Sequence, residues 1–235
     1  MRVIPDLFAA TVRHRRPILS AALAPAAAHA ATLRSWPWLY ALSVVLVVVL
    51  VVLMVAGWSQ PKVRTLTVRS ERQVFEAPAG PAPVYVALCC LTVATGQLGS
   101  VLRDRPRLFD VVWTVLWLLV AARWIMLAWD GLGVRLSPDG VRNRDVFGTV
   151  MTPWLALDRD VPPVAAPGQP NVLLTVARPD LVRLRGVVLS RRLLRADTVD
   201  APFLAEVLRH YLAHPDARRS IGTTAELSRL LALLP

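Results

Sequence analysis

The sequence predicts an α+β membrane protein, in which transmembrane helices lead into a partly open antiparallel β-barrel covered by a C-terminal helix. Three observations carry that expectation. Apolar segments recur at residues 38–58, 84–102 and 109–129, each long enough to cross a bilayer. Directly after the third, "VRLSPDGVRNRDVFGTVMTPW" (residues 134–154) changes from a helical to an alternating pattern with a turn signal inside it. The chain then closes on two segments with one apolar face each. The expected organisation is a basic N-terminal tail at 1–35, a transmembrane region at 36–130 that includes a polar segment at 59–83, a folded domain at 131–215 and an amphipathic helix at 216–235.

Composition sets the class. Of 235 residues 55% are hydrophobic, and the mean hydropathy is +0.48, too apolar for an ordinary soluble domain. Residues 1–129 hold 13 basic and 5 acidic side chains, against 14 and 11 in residues 130–235, so the +11 excess gathers around the apolar segments. There it reads as anchoring and topology, not as nucleic-acid binding. Cys89 and Cys90 are adjacent within an apolar run and read as small apolar fillers, since no CxxC spacing exists.

The first span, "WLYALSVVLVVVLVVLMVAGW", is uncharged and about 30 Å long as a helix, with Trp36, Trp38 and Trp58 as interface anchors. In the second, Gly96, Gln97, Gly99 and Ser100 make the latter half small and semi-polar. That suits a spanning helix packed on a neighbour better than a re-entrant segment, and Gln97 would seek an interhelical partner. The third contains Arg123. A charge inside a membrane is costly and is a functional-site hypothesis by default, but Arg123 lies close enough to the helix end to snorkel outward or pair with Asp130. The short "RDRPR" link makes the second and third spans a helical hairpin.

"RHRRPILSAALAPAAAHA" has the outline of a signal peptide, yet its apolar stretch is short and broken by Pro25, so it is read as a retained tail. "VRTLTVRSERQVFEA", residues 63–77, is polar and alternating, and fits either a short hairpin or an extended link. Three spans place the termini on opposite sides. With the N-terminus inside, eight arginines (2, 13, 15, 16, 34, 103, 105, 107) face seven basic residues (62, 64, 69, 72, 135, 142, 144), which leaves the orientation open.

In the folded domain, Val134 and Leu136 alternate with Arg135 and Ser137, and "SPDG" supplies a turn whose Gly140 accepts positive φ. "VRNRDVF", the turn "FGT" and "VMTPW" extend a three-stranded meander. Pro153 suits an edge or bulge, and Trp154 is expected to plug one end of the sheet. A Pro-rich loop at 159–170 leads to further strands, about six before residue 195. Asp200 is a plausible N-cap with Pro202 in the first turn, and Leu204, Val207, Leu208, Tyr211 and Leu212 form one apolar face. Thr223-x-x-Glu226 reads as a capping box before the last helix.

"VRLSPDGVRNRDVFGTVMTPWLAL", following a transmembrane helix pair, resembles the pleckstrin-homology-like domains of actinobacterial membrane proteins, in which a "v-t-p-d-G-v" turn precedes a strand, a turn and "v-p-W". The closing "FLAEVLRHYLAHPDARRSIGTTAELSRL" is similar to the tails of such proteins. The resemblance covers residues 113–235. It implies a seven-stranded, partly open barrel capped by a helix, and a binding or scaffolding role without catalytic residues. Phosphoinositide-binding relatives carry a basic cluster at the first strand turn. Here that turn is "SPDG", and Arg142 and Arg144 are the nearest matches.

The densest basic set is Arg183, Arg185, Arg191, Arg192 and Arg195. With Arg142 and Arg144 it is the candidate surface for a partner protein or anionic headgroups, against a plain solvated face balanced by Asp180, Asp197 and Asp200. His210 and His214 have helical metal-ligand spacing, but no third ligand is evident and their place near a helix C-terminus explains them. No nucleotide-binding or hydrolase motif is present. The sequence therefore points to a non-enzymatic, multi-pass cell-membrane protein that binds through a pleckstrin-homology-like domain and uses no cofactor. The alternative is a small transport or channel component using Arg123 and Gln97.

Overall fold

A computed structural model describes residues 3–32, 38–103, 107–165, 169–188 and 190–234. The chain is α+β and divides into two compact units: Met1–Gln60 with Gly80–Gly131, which is helical, and Pro61–Ala79 with Leu132–Pro235, which holds the strands.

The helical unit comprises α1 (Val3–Arg13), α2 (Arg15–Thr32), α3 (Trp38–Trp58), α4 (Ala82–Arg103) and α5 (Leu108–Asp130). Among the described residues, three helices are long and apolar enough to cross a membrane, Trp38–Trp58, Ala82–Leu102 and Leu108–Asp130. Of these α4 is the most buried, because α2, α3 and α5 all pack against it. Small residues make that possible. Ala87 of α4 shares a buried cluster with Ala128 of α5, and one heptad away Ala94 clusters with Ala121. Gly57 contributes another close approach, since a side chain there would lie 3.2 Å from the Ala82 nitrogen. Gly96, by contrast, faces open space, so it is not the packing point the sequence suggested. Residues 3–32, expected as a tail, form α1 and α2. Phe8 and Leu19 are both buried against the longer helices.

In the second unit a six-stranded antiparallel sheet runs in the order β1-β2-β3-β4-β5-β7. Its strands are β1 (Thr67–Arg69), β2 (Val74–Glu76), β3 (Gly133–Ser137), β4 (Gly140–Arg144), β5 (Gly148–Pro153) and β7 (Arg183–Gly186). A separate pair joins β6 (Asn171–Leu173) to β8 (Leu193–Arg195). Two helices follow, α6 (Ala201–Ala213) and α7 (Thr224–Leu233).

The expected meander is present as β3-β4-β5. Pro153 lies beyond the four residues of β5 that pair with β7, so its missing N–H deprives the β7 side of nothing.

Several expectations need correction. Residues 59–83 were grouped with the transmembrane region. Within them β1 and β2 form a hairpin, and β2 pairs with β3 through Phe75↔Leu136 and Glu76↔Arg135. The physical cause is Phe75, fully buried, which the core of the sheet needs. Residues 61–79 are tied in further by the Val63↔Val199 bridge.

The sheet does not close into a barrel. Between β6 and β7 the chain makes the isolated bridge Val176↔Leu157 and a 3-10 turn at Pro179–Leu181 instead of a ladder, and β6 and β8 form a two-stranded sheet of their own, to which Val164 adds a single bridge at Leu173. Side chains link across the gap: the Asn143 amide donates to the Leu193 carbonyl at 3.1 Å, and Arg195 donates to the Asp145 carboxylate at 3.1 Å. The C-terminal helix is not a separate body either, since Leu230 of α7 is fully buried in the sheet unit's core.

Trp154 does plug one end of the sheet. It is 3% exposed, its indole N–H donates to the Ser137 carbonyl at 2.9 Å, and its ring sits 5.9 Å from that of Tyr211 on α6. The Arg218 guanidinium covers the indole at 5.2 Å while its Nε donates to the Tyr211 carbonyl at 2.7 Å. Gly140 pairs with Pro153 so closely that a Cβ there would meet the Thr152 carbonyl oxygen and lie 2.7 Å from Pro153 Cα.

Asp200 caps α6 by accepting from the Phe203 N–H. Thr223 caps α7 by accepting from the Glu226 N–H, but only half of the capping box forms. The buried Glu226 carboxylate instead accepts from the Tyr211 hydroxyl at 3.2 Å and from Arg229 at 3.0 Å.

Candidate functional site: an arginine face on the sheet

Alternation along each strand decides which residues share a face. Leu136, Val141 and Thr152 form one buried cross-strand row, and Val134, Asn143 and Val150 another, on the inner side. The outer side then carries the row Glu76, Arg135, Arg142, Met151, Arg183 across five strands. Beside it run Arg144, Thr149 and Arg185. Arg72, from the 3-10 turn between β1 and β2, joins them. Five of these arginines, Arg72, Arg135, Arg142, Arg183 and Arg185, line an open concavity of about 440 Å³ with a single carboxylate, Glu76.

Electrostatics on this face are unbalanced. Glu76 holds Arg135 at 3.0 Å and Arg69 at 3.4 Å. Arg142, Arg183 and Arg185 have no carboxylate within ion-pair distance among the described residues. Arg135 and Arg142 are direct cross-strand partners, an arrangement that costs stability for like charges. The pKa of Arg135 lies below the usual arginine value. Burial is the main cause; Arg142, Arg144 and Arg72 act the same way, and Glu76 opposes them. Guanidinium groups donate only, and pair in a planar fork with carboxylate or phosphate oxygens. The concavity contains no histidine or cysteine, and its one serine, Ser137, already donates to the Gly140 carbonyl. What this surface can do is hold anions.

The seven arginines singled out from the sequence separate here. Arg142, Arg144, Arg183 and Arg185 share the face. Arg191 and Arg192 are exposed on the approach to β8 and line no part of the concavity. Arg195 is neutralised by Asp145 at 3.1 Å and Asp197 at 3.2 Å. Burial disfavours its charge, but those two carboxylates outweigh it and hold its pKa above the usual value. Sequence reasoning missed Arg72, Arg135 and Glu76. The signal was the alternation of residues 63–77, which fits a hairpin without saying which sheet it joins.

Gln97 and Arg123 are both half-buried. The clusters pairing Ala87 with Ala128 and Ala94 with Ala121 fix the antiparallel register of α4 and α5. That register sets Gln97 and Arg123 about 7 Å apart in height at 1.5 Å per residue. The hydroxyls of Thr92, Thr95, Ser100 and Thr114 all return to carbonyls of their own helices.

The His210 and His214 rings stack at 4.7 Å, and no group of three histidine, cysteine or acidic side chains suited to a metal occurs among the described residues. A second concavity of about 280 Å³ lies in the gap between β4–β5 and β6–β8. Arg195 lines it together with Asp145 and Asp197, its two ion-pair partners.

Comparison with protein-family models, with curated proteins and with solved structures finds no match to this chain.

Proposed function

We propose that this chain is a multi-pass membrane protein whose sheet unit is a non-enzymatic binding module of pleckstrin-homology-like kind, and that its arginine face engages an anionic partner. The carrying observation is the cross-strand row of Arg135, Arg142 and Arg183 with Arg144 and Arg185 beside it, where the concavity lining holds five arginines and one carboxylate, Glu76. Support for the pleckstrin-homology-like reading comes from the β3-β4-β5 meander, the "SPDG" turn, Trp154 after the third strand and α6 over the core. Two features depart from that family's pattern: the sheet takes β1 and β2 from between two apolar helices, and it stays open.

Membrane crossing is supported by helix length, apolarity and the large exposed apolar surface of α3, including Leu42, Val44, Val45 and Val48. It is also consistent with the strand pairing. One sheet cannot be assembled from both sides of a bilayer. β2 follows α3 and β3 follows α5, so α4 and α5 must together return the chain to the side it left. A pair of full crossings does this; a re-entrant α4 followed by a spanning α5 does not. The transport alternative is disfavoured by the height difference between Gln97 and Arg123 and by the self-satisfied hydroxyls.

The test uses the full chain in zwitterionic lipid nanodiscs, mixed with anionic or zwitterionic vesicles or with an acidic polypeptide. Recruitment to the anionic vesicles, weakening with salt, supports a membrane surface as partner. Binding of the polypeptide alone supports a protein partner. Each arginine near an anionic surface contributes about 1 kcal/mol, so Arg142→Ala with Arg183→Ala is expected to weaken binding roughly 30-fold. An unchanged affinity in the double variant contradicts the proposal.

A further inference from the structure

Hydropathy marks three helices as able to cross a membrane, yet α2 runs alongside them. We propose that α2 is a fourth membrane-crossing helix, so that the segment preceding it and the sheet unit share the cytoplasmic side. This rests on the membrane reading above.

Contacts within the helical unit set the direction of α2. Near its start, Leu19 is buried with Val84 and Ala87 of α4 and Ala128 of α5. Also at this end, the Arg16 guanidinium lies over the Trp129 ring at 5.7 Å. Ten residues on, His29 Nε2 is 2.8 Å from the Ser43 hydroxyl at the start of α3. That part of α3 lies level with the later half of α4, because the Tyr40 hydroxyl donates to the Gly96 carbonyl at 3.3 Å. So α2 is parallel to α4 and travels with it, from the level of residues 84–87 to about that of Gly96. Its 18 residues make a helix about 27 Å long, comparable with a hydrocarbon core.

The composition of α2 fits that path. After Arg16 it contains no Asp, Glu, Lys or Arg. Its outward positions include Ala21, Leu23, Ala24, Ala27 and Ala28, all exposed and none charged. His29, the one ionisable group past the first turn, has a hydroxyl partner inside the unit. A helix lying in the bilayer interface would instead need a charged outer face. Alanine is only weakly apolar and the two leading arginines lower the average, which is why hydropathy passes over it.

A fourth crossing also resolves the charge comparison that three spans left tied. Arg2, Arg13, Arg15 and Arg16 join Lys62, Arg64, Arg69, Arg72, Arg135, Arg142 and Arg144 on one side. By sequence position Arg34, Arg103, Arg105 and Arg107 fall on the other, so the count is eleven against four. The richer side is cytoplasmic by the positive-inside rule. The sheet unit and its arginines therefore lie on the cytosolic side.

Single cysteines test this in the full chain, in a background carrying Cys89→Ala and Cys90→Ala. Asp6→Cys, Leu108→Cys and Leu231→Cys occupy exposed positions on α1, at the start of α5 and on α7. A membrane-impermeant maleimide is applied to intact and to permeabilised cells. Labelling of position 108 on intact cells, with 6 and 231 labelled only after permeabilisation, is the expected result. Positions 6 and 231 on opposite sides would overturn the fourth crossing, and both labelled outside with 108 protected would overturn the orientation. Release of the chain by alkaline carbonate would instead sink the membrane reading itself, a failure that labelling does not mimic.

Discussion

Trp154 shows how one residue couples the strand turn to the covering helix. It joins the Ser137 carbonyl, the Tyr211 ring and the Arg218 guanidinium in one buried contact set. Truncation leaves a cavity beneath α6, so Trp154→Ala is expected to cost about 3–5 kcal/mol. Denaturant unfolding of the detergent-solubilised chain, followed by circular dichroism, measures this. His210 gives the sheet unit a pH response. Burial holds its pKa below the ordinary histidine value; His214 and Arg229 add to the effect and Glu226 opposes it. Its buried Nε2 has no hydrogen-bond partner. The folded state thus binds fewer protons than the unfolded state as pH falls below about 6.5. Stability is full above that pH and declines below it, and His210→Gln is expected to flatten that decline in pH-dependent unfolding. A slope that survives the substitution would assign the effect elsewhere.

At the scale of elements, the β1–β2 hairpin depends on its neighbours. Its strands are three residues each, too short to stand alone. Phe75 anchors it from below, and at its tip Gln73 adopts a left-handed conformation with φ of 50°. Gly222, with φ of +91°, lies against that tip so closely that a Cβ would collide with Gln73 and the Val74 nitrogen. Gly222→Ala is therefore expected to loosen the hairpin selectively, seen as faster amide exchange at residues 67–76 than at β4, while Thr223→Ala costs only about 1 kcal/mol through the lost cap. The long apolar helices, the meander, the Asp200 cap and the Trp154 plug were legible because each has a strong local signal. The hairpin was not, because two three-residue strands carry too little alternation to name a partner sheet. Nor was α2 legible as a packed helix, since its alanines pack well without being strongly apolar. The expected barrel does not form where the 3-10 turn at Pro179–Leu181 and the isolated bridges Leu157↔Val176 and Val164↔Leu173 stand in place of ladders.

At the scale of the whole molecule, the decisive feature is that the chain leaves the sheet unit after β2, passes through α4 and α5, and returns to the same sheet at β3. Four of the six arginines on this face were readable in advance, Arg142, Arg144, Arg183 and Arg185 at two-residue spacing. The rest, Arg72, Arg135 and Glu76, depends on a pairing between residues some sixty positions apart, which no local pattern encodes. On the membrane reading proposed above, that pairing also requires α4 and α5 to cross as a pair, so it bears on both the site and the topology. It is tested most directly by Glu76→Cys with Arg135→Cys, in the background lacking Cys89 and Cys90, oxidised in native membranes. Facing residues in an antiparallel pair have Cα atoms about 4.5–5.5 Å apart, within disulfide range. The local pair Arg142→Cys with Met151→Cys, on β4 and β5, reports whether the meander itself is folded. Both pairs are expected to form disulfides. A bond at 142–151 without one at 76–135 would overturn the shared sheet, which would then be built without the hairpin.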